Sequence, residues 1–230
     1  LNLLTQLGEK FSNQNSVVLD RILPYVLFLV EDSHARVRAE AIRSLPRILR
    51  HITELPKDDA RVFMDYILKP LRDCVKDRAS IVRMSLAENI ADLAQIAARY
   101  VDLASRHLLE GDSQVERKDS GDRFSLENER QNFIRKEMKD LQDSIQETIV
   151  YLLCDNDNNI KRILVQTGLP QLCEFFGKAK ASDVLLSHMI TFLNDKTDWH
   201  LRAAFYQFCP IVASFVGWSS TNILKSLLHQ

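Results

Sequence analysis

The sequence predicts an all-α fold, an α-solenoid in which helical hairpins stack side by side. The segment 22–49 recurs farther along the chain: Asp32 returns as Asp77, and Val37-Arg38 returns as Val82-Arg83, each 45 residues later. Both copies contain two apolar patterns of helical spacing, separated by a short polar turn that holds the aspartate. One structural unit is therefore repeated.

Two weaker copies follow, marked by Asp155 with Ile160-Lys161 and by Asp195 with Leu201-Arg202. A period of about 40 to 47 residues with two helices per unit is typical of HEAT and armadillo arrays. In such arrays each unit buries its apolar face mainly against its neighbours. We expect one elongated HEAT-type domain over residues 1–230, with about five hairpins if the partial ones at both ends are included.

The first helices follow from the spacing of apolar residues. Residues 1–11 have an amphipathic pattern, and the first hairpin is expected to have a helix up to Val30, a turn at 31–33 and a second helix. That second helix carries a stripe of helical period: Val37, Ala41, Leu45, Ile48 and Ile52. The second hairpin repeats the stripe with Val82, Leu86, Ile90, Leu93 and Ala97.

The remaining elements are less regular. Pro56 and the charged residues after it separate the first two hairpins. The spacing between Asp77 and Asp155 exceeds one period, and residues 110–128 are rich in charge and poor in apolar side chains, so we expect a flexible insertion there. A long helix should begin near Glu129, and another helix begins at Ile223. Because both ends fall within helical patterns, the chain is expected to be a fragment of a longer array.

Composition excludes several classes of protein. The 30 Lys and Arg residues balance 31 Asp and Glu residues, so the basic footprint of a duplex-binding protein is missing and we predict no nucleic-acid partner. The longest apolar run, 22–30, is too short to cross a bilayer. The four cysteines form no CxxC pair, and three lie in apolar helical stretches, which favours buried thiols in a reducing cytosol.

Signatures of catalysis or cofactor binding are missing from the sequence. It contains no GxGxxG, GxxxxGK[ST], HExxH or GxSxG motif, so we predict no catalytic, cofactor-binding or metal-ligating residue. The segment 155–159 resembles the start of an EF-hand loop, but Ile160 replaces the glycine and Gln166 the final glutamate. This segment is instead expected to form the turn of the third hairpin.

The recurring aspartate and arginine have a structural interpretation. A turn aspartate can accept backbone N–H groups at the start of the second helix, and an arginine six or seven residues later can reach the aspartate of an adjacent hairpin. Such a ladder would hold the stack in register. Its predicted members are Asp32, Arg38, Asp77, Arg83, Asp195 and Arg202.

Two surface features suggest partner binding. Four arginines share one face of the second helix of the first hairpin and form a cationic strip, which is compatible with an acidic partner or anionic lipid headgroups: Arg36, Arg43, Arg47 and Arg50. Trp199, His200 and Trp218 form the second candidate, because tryptophan is favoured at interaction hot spots. Solvated charges and packing over the end of the core remain the alternatives for these two features.

The sequence also resembles a known family. The segment 184–205, VLLSHMITFLNDKTDWHLRAAF, with Leu172 to Met189 and Val216-Gly217-Trp218, is similar to the helical-repeat region of phosphoinositide 3-kinase regulatory subunit 4, the vacuolar-protein-sorting scaffolds of the class III phosphatidylinositol 3-kinase complex. RVRAEAIRSL from Arg36 and SIVRMSLAENIADLA from Ser80 fit the same family.

This resemblance implies a non-enzymatic scaffold segment. In that family a serine/threonine protein-kinase-like domain precedes the HEAT array and a WD40 propeller follows it. The implied partners are the lipid-kinase catalytic subunit, a Beclin-type coiled-coil subunit, and autophagy or endosomal adaptors. The implied location is cytoplasmic and peripheral, on endosomal and autophagosomal membranes.

Two other functions remain open from the sequence. A HEAT-repeat transport or adaptor scaffold of another complex would share the architecture and differ only in its partners. A helical-repeat DNA glycosylase would instead use Asp198, Trp199 and Arg202 in a basic groove. The sequence pI of about 6.7 disfavours the glycosylase.

Overall fold

The computed structural model describes residues 1–10, 15–55, 61–110 and 120–217, and within these ranges every element is a helix. The all-α prediction is therefore confirmed. The α-helices are α1 (Asn2–Lys10), α2 (Asn15–Val17), α3 (Leu23–Val30), α4 (Ala35–Leu49), α5 (Leu68–Asp73), α6 (Ser80–Glu110), α7 (Ser120–Leu153), α8 (Asn158–Lys180), α9 (Ser187–Met189) and α10 (Trp199–Val216). π-Helical or 3₁₀ segments at Val18–Ile22, Phe63–Ile67, Cys74–Lys76, Ala181–Leu186 and Ile190–Asn194 join the shorter ones.

These elements form four hairpins, and each has the predicted order of helix, aspartate turn and helix. In the first, the chain runs through α2 and α3 to Val30, turns at 31–34 and enters α4 at Ala35. The second hairpin pairs residues 61–76 with α6, and the third pairs α7 with α8. Helix α8 contains a kink where Gly177 has φ 74°, so its last residues already belong to the fourth hairpin, which ends in α10.

The second helices of the hairpins stack to form the centre of the molecule. Helix α6 packs between α4 and α8, α8 packs on α10, and α1 packs on the outer side of α4 as the second helix of a partial unit. One apolar core runs through all of these contacts. Its fully buried residues include Leu45, Leu86, Ile90 and Leu93, which lie on the stripes that the sequence predicted.

Helices α6 and α8 approach each other closely at Gly168. A Cβ atom built at Gly168 would be 2.5 Å from the Cβ atom of Ala91, so only glycine allows the two backbones to approach this closely. The sequence pattern contained this glycine within a helix but did not reveal its partner. The crossing fixes the relative position of the second and third hairpins.

The excess residues between the second and third hairpins lengthen two helices. Helix α6 continues to Glu110, and α7 begins at Ser120 rather than near Glu129 as the sequence predicted. The two helices pack on one another. Arg130 of α7 donates hydrogen bonds to Ser105 and Asp102 of α6. Residues 111–119 of the expected flexible insertion lie outside the described residues, as do Pro56, Trp218 and the helix expected from Ile223.

Other sequence predictions concern burial. Cys74, Cys173 and Cys209 are buried and Cys154 is exposed, and burial raises the pKa of the Cys74 thiol to about 12 and that of Cys173 to about 11. The three buried thiols are therefore protonated and packed as apolar groups. Within the described ranges, no helix combines the length and the apolar character needed to cross a bilayer.

Candidate functional site: the turn ladder and the helix faces

Each hairpin turn is closed by its aspartate. The carboxylate of Asp32 accepts a hydrogen bond from the amide of His34, and that of Asp77 accepts one from the amide of Ala79. Asp155 and Asp195 accept the amides two residues later in the same way. This Asx-turn geometry reverses the chain just before the second helix begins, which explains why aspartate recurs at this position.

Two arginines join successive turns. Nε and Nη2 of Arg38 donate to the two carboxylate oxygens of Asp77 at 2.7 and 2.8 Å, while Nη1 donates to the backbone carbonyl of Asp32 at 2.7 Å. Arg83 repeats this arrangement with the carboxylate of Asp155 at 2.7 and 3.3 Å and the carbonyl of Asp77 at 2.6 Å. Each arginine thus binds the turn of its own hairpin and the turn of the next.

The third junction uses a different side chain. Lys161 occupies the position of the ladder arginine and donates to the side-chain oxygen of Asn158 at 2.9 Å. The Asn158 amide then donates to the carboxylates of Asp195 at 2.8 Å and Asp198 at 3.2 Å. The sequence prediction missed Asn158, which replaces a bidentate ion pair with an amide bridge.

The ladder ion pairs are largely removed from solvent. The exposed fraction is 18% for the Arg38 side chain and 11% for Asp77. Burial acts to raise the pKa of Asp77, but the hydrogen bonds from Arg38 and from the Ala79 amide outweigh it and hold that pKa below 3.8. The same pairing raises the pKa of Arg38. Both groups are therefore charged near neutral pH, and each leaves the other unpaired if it is removed.

The predicted cationic strip is mostly paired with acidic residues on neighbouring helices. The contacts are Arg43 with Glu88 at 3.2 Å, Arg47 with Glu9 at 2.9 Å, and Arg50 with Asp92 at 3.2 Å. Glu9 lies on α1, and the other two carboxylates lie on α6. Arg36 is exposed at the start of α4. Much of the positive charge that the sequence pattern indicated is thus neutralised between helices, and partner binding by this strip stays a prediction.

Two further inter-hairpin contacts were not predicted. Arg99 and Tyr100 of α6 donate to the carbonyl of Leu49 at 3.0 and 3.1 Å, and they thereby satisfy carbonyl groups at the end of α4. Arg61 donates at 2.8 Å to Glu137, a buried carboxylate on α7. A buried acidic residue in an otherwise apolar helix stripe is a sequence signal for such a pair, but its partner is 76 residues away.

The aromatic group at the start of α10 combines capping and exposure. Asp198 is the N-cap and accepts the amide of Leu201 at 3.2 Å, and Nη1 of Arg202 donates to the carbonyl of Asp195. Trp199 stacks on His200 with ring centroids 3.7 Å apart and is 60% exposed. Asp198 and Arg202, two of the residues that a glycosylase groove would use, are therefore engaged in turn and helix-end contacts.

The segment that resembles a calcium loop forms the third turn. Both carboxylate oxygens of Asp155 are bound by Arg83, and Asp157 is the N-cap of α8, where it accepts the amide of Asn159. The ligands expected for calcium are thus used by the ladder and the helix start. Among the described residues, no group of histidine, cysteine, aspartate or glutamate side chains is arranged to hold a metal ion.

Four of the six strongly exposed aromatic residues in the described part of the chain lie on the first helices of the hairpins. They are Tyr25 and Phe28 on α3, Tyr66 in the second hairpin and Tyr151 on α7, while Trp199 and Tyr206 lie on α10. An open cavity of about 440 Å³ lies between the first two hairpins, with Pro24, Val62 and Tyr66 among its lining residues. Tyr151 lies under the Lys76 ammonium group at 4.9 Å. This face offers apolar contact area that the sequence analysis did not single out.

Comparison with known proteins agrees with the sequence resemblance. The probable serine/threonine-protein kinase vps15 of Dictyostelium discoideum is 30% identical over 231 residues, which are 99% of this chain and 11% of that protein. The serine/threonine-protein kinase VPS15 of Saccharomyces cerevisiae is 30% identical over 83% of this chain and 12% of its own length. The chain therefore spans about a tenth of the length of these relatives.

Among solved structures, the archaeal HEAT-like repeats protein from Thermococcus onnurineus NA1 aligns over 92% of this chain and 81% of its own, with 13% identity and a TM-score of 0.34. The α-solenoid assignment follows from the stacked hairpins described above. The family "PIK3R4-like, middle domain" matches residues 1–230. The match covers the whole chain and concerns a domain other than the kinase domain. The chain therefore belongs to the PIK3R4-like family, as its middle domain.

Proposed function

We propose that this chain is the non-catalytic HEAT scaffold segment of a class III phosphatidylinositol 3-kinase regulatory subunit. The observation that supports this proposal best is the continuous stack of second helices, joined by the Arg38 and Arg83 ladder contacts, in a member of the PIK3R4-like family. Stacked hairpins with interlocked turns form a stiff body whose outer helix faces offer extended binding surface. The contribution of this segment is geometric, since it holds other subunits at fixed positions.

The proposed partners are the lipid-kinase catalytic subunit, a Beclin-type coiled-coil subunit, and the adaptors that direct the complex to autophagy or endosomal sorting. Membrane association would be peripheral and would depend on the assembled complex. Any protein-kinase activity of the longer subunit would belong to a separate domain, as the kinase names of the relatives suggest.

The exposed aromatic residues on the first helices are the proposed contact surface. Tyr25 and Phe28 lie one helical turn apart on α3, with exposed fractions of 65% and 75%. Large aromatic side chains in the centre of an interface contribute much of its binding energy. The strip Arg43, Arg47 and Arg50 is a weaker candidate because its charges already have partners.

The test uses the full-length subunit expressed with the rest of the complex. Tyr25→Asp with Phe28→Asp should reduce co-purification of the lipid-kinase and Beclin-type subunits, while the melting temperature of the isolated 230-residue chain stays nearly unchanged. The matched surface control is Arg43→Gln with Arg47→Gln on α4, the second helix of the same hairpin, and it should leave assembly intact.

Deletion of residues 1–230 tests the scaffold role itself. If the other subunits still assembled at the normal ratio on the deleted protein, the proposed function would be wrong. If assembly needed the segment but tolerated the α3 substitutions, the scaffold role would stand and the aromatic contact surface would be rejected.

A further inference from the structure

Two nitrogen donors of the Arg202 guanidinium group have no hydrogen-bond acceptor among the described residues. In Arg38 and Arg83, Nη1 binds the carbonyl of the hairpin's own turn aspartate, while Nε and Nη2 bind the carboxylate in the turn of the next hairpin. Nη1 of Arg202 is anchored in the same way, on the carbonyl of Asp195. Nε and Nη2 of Arg202 therefore lie where the earlier arginines hold a carboxylate, without an acceptor in the described part of the chain.

An apolar stripe on α10 lies beside this arginine. In the earlier second helices, the positions four and eight residues after the ladder cation are buried; they are Ile42 and Pro46 in α4, Ala87 and Ala91 in α6, and Val165 and Leu169 in α8. In α10 the same positions are Tyr206 and Pro210, and both are exposed, Tyr206 by 53%. Ala203, one turn before them, is exposed as well.

The comparison of Ala91 with Pro210 shows what this stripe does elsewhere in the molecule. Ala91 is the residue of α6 that contacts Gly168 of the following second helix. Pro210 occupies the corresponding position of α10, eight residues after its ladder arginine. The exposed stripe therefore corresponds to the side of α6 that packs on the next hairpin.

We propose that the outer face of α10 is a stacking face for one further helical hairpin, whose turn carries a carboxylate that binds Nε and Nη2 of Arg202. The occupant is the hairpin that follows in the longer regulatory subunit, so this inference rests on the proposed function in taking the chain as a segment of that subunit. The exposed face of α10 determines which side chains this hairpin must carry. An apolar second helix would cover Tyr206 and Pro210, and an acidic turn would bind Arg202, the sole arginine or lysine of α10.

Hydrogen exchange measured on two proteins, the 230-residue chain and the full-length subunit, tests this inference. Backbone amides of α10 should exchange about tenfold or more slowly in the full-length subunit, because an added hairpin suppresses local opening of a terminal helix. Tyr206→Asp should remove most of that difference in the full-length subunit and change the isolated chain little. Arg202→Glu should also remove it, since the substitution places a second negative charge beside the incoming carboxylate.

Tyr66 provides the matched control. It has the same side chain as Tyr206 and a similar exposed fraction, 49%, but it lies in the second hairpin, away from α10. Tyr66→Asp should therefore leave exchange in α10 unchanged in both proteins.

Three results would overturn the inference. One is equal exchange of α10 in the two wild-type proteins, and another is an equal effect of Tyr206→Asp and Tyr66→Asp on exchange in α10 of the full-length subunit. The third is protection that appears in the isolated chain as its concentration rises, which would assign the face to self-association. This test measures hydrogen exchange of α10, whereas the test of the scaffold role measures subunit assembly. Failure of the scaffold role and failure of the α10 stacking face are therefore distinguishable.

Discussion

Arg38 makes four hydrogen bonds in two directions, two to the Asp77 carboxylate and two to backbone carbonyls of its own turn, and this division explains why an arginine is required. A lysine could reach the Asp77 carboxylate or the Asp32 carbonyl, but its single nitrogen could not bind both carboxylate oxygens and the carbonyl in this planar arrangement. Because the pair is largely buried, loss of one partner leaves an uncompensated charge.

Arg38→Met should therefore lower the free energy of unfolding by about 3 kcal/mol, because Asp77 would remain buried without its charge partner. Urea unfolding followed by circular dichroism measures this change. The control is Arg43→Met, which removes an ion pair whose two side chains are each 36% exposed, and which should cost less than about 1 kcal/mol. Equal effects of the two substitutions would contradict the assignment of Arg38 as a buried ladder residue.

The ladder also predicts a dependence of stability on acid. The pKa of Asp77 is lower in the folded chain than its ordinary value of 3.8, so its ionised form stabilises the fold fully above that value, and the contribution is lost as pH falls through the folded pKa. The free energy of unfolding should decrease between about pH 5 and about pH 2. Asp77→Asn should start less stable and show a smaller decrease over this range, and an unchanged pH slope would refute the prediction.

Repetition made the Arg38 and Arg83 contacts predictable, since the same residues recur at one spacing and adjacent copies stack. Arg61 and Glu137 could not be paired in this way, because their contact crosses 76 residues and has no counterpart in the other hairpins. Asn158 was missed for a related reason. The lysine at position 161, where the other hairpins have arginine, shows in the sequence that the regular contact is altered. The bridge that replaces it depends on how close the two turns lie in space, which the sequence does not show.

At the scale of the helix, the crossing of α6 and α8 depends on one missing side chain. Gly168→Ala places a methyl group 2.5 Å from the Cβ atom of Ala91, and the free energy of unfolding should fall by about 1 to 3 kcal/mol as the helices separate. The second substitution Ala91→Gly should restore part of this loss, measured by thermal unfolding of the single and double variants.

Gly177→Ala separates this effect from a general intolerance of alanine. No atom lies within 4 Å of a Cβ atom built at Gly177, but its φ of 74° disfavours any residue with a side chain. The loss of stability caused by Gly177→Ala should not be relieved by Ala91→Gly. A similar rescue of both glycine variants would show that steric contact at the crossing is not the cause.

The helix boundaries were predictable where apolar residues stop, as at Val30 and at the start of α4. The beginning of α7 was placed too late because residues 120–128 are largely polar. A polar composition indicates that a segment is not buried, but it does not indicate whether the segment is helical. A helix can continue beyond the core, since each added residue forms its backbone hydrogen bond within the same helix. The insertion's flexibility stays a prediction.

At the scale of the whole molecule, α6 has the central position because it contacts α4, α7 and α8. Leu86→Ala, at a fully buried position of α6, should cost about 2 to 5 kcal/mol and speed hydrogen exchange in the hairpins on both sides. Val212→Ala, at a fully buried position of α10, should speed exchange mainly in the fourth hairpin. Identical exchange patterns for the two variants would mean that the array opens only as one unit.

The amide bridge at Asn158 gives the third junction mechanical properties of its own. Arg38 and Arg83 clamp neighbouring turns through two bonds each between opposite charges. Asn158 holds the Asp195 carboxylate through one hydrogen bond from an uncharged amide, so the bidentate geometry and the opposite charge are both missing. Under load from bound subunits, this joint should yield first. The rod would then flex between its third and fourth hairpins, and α10 would swing as the short arm of a hinge.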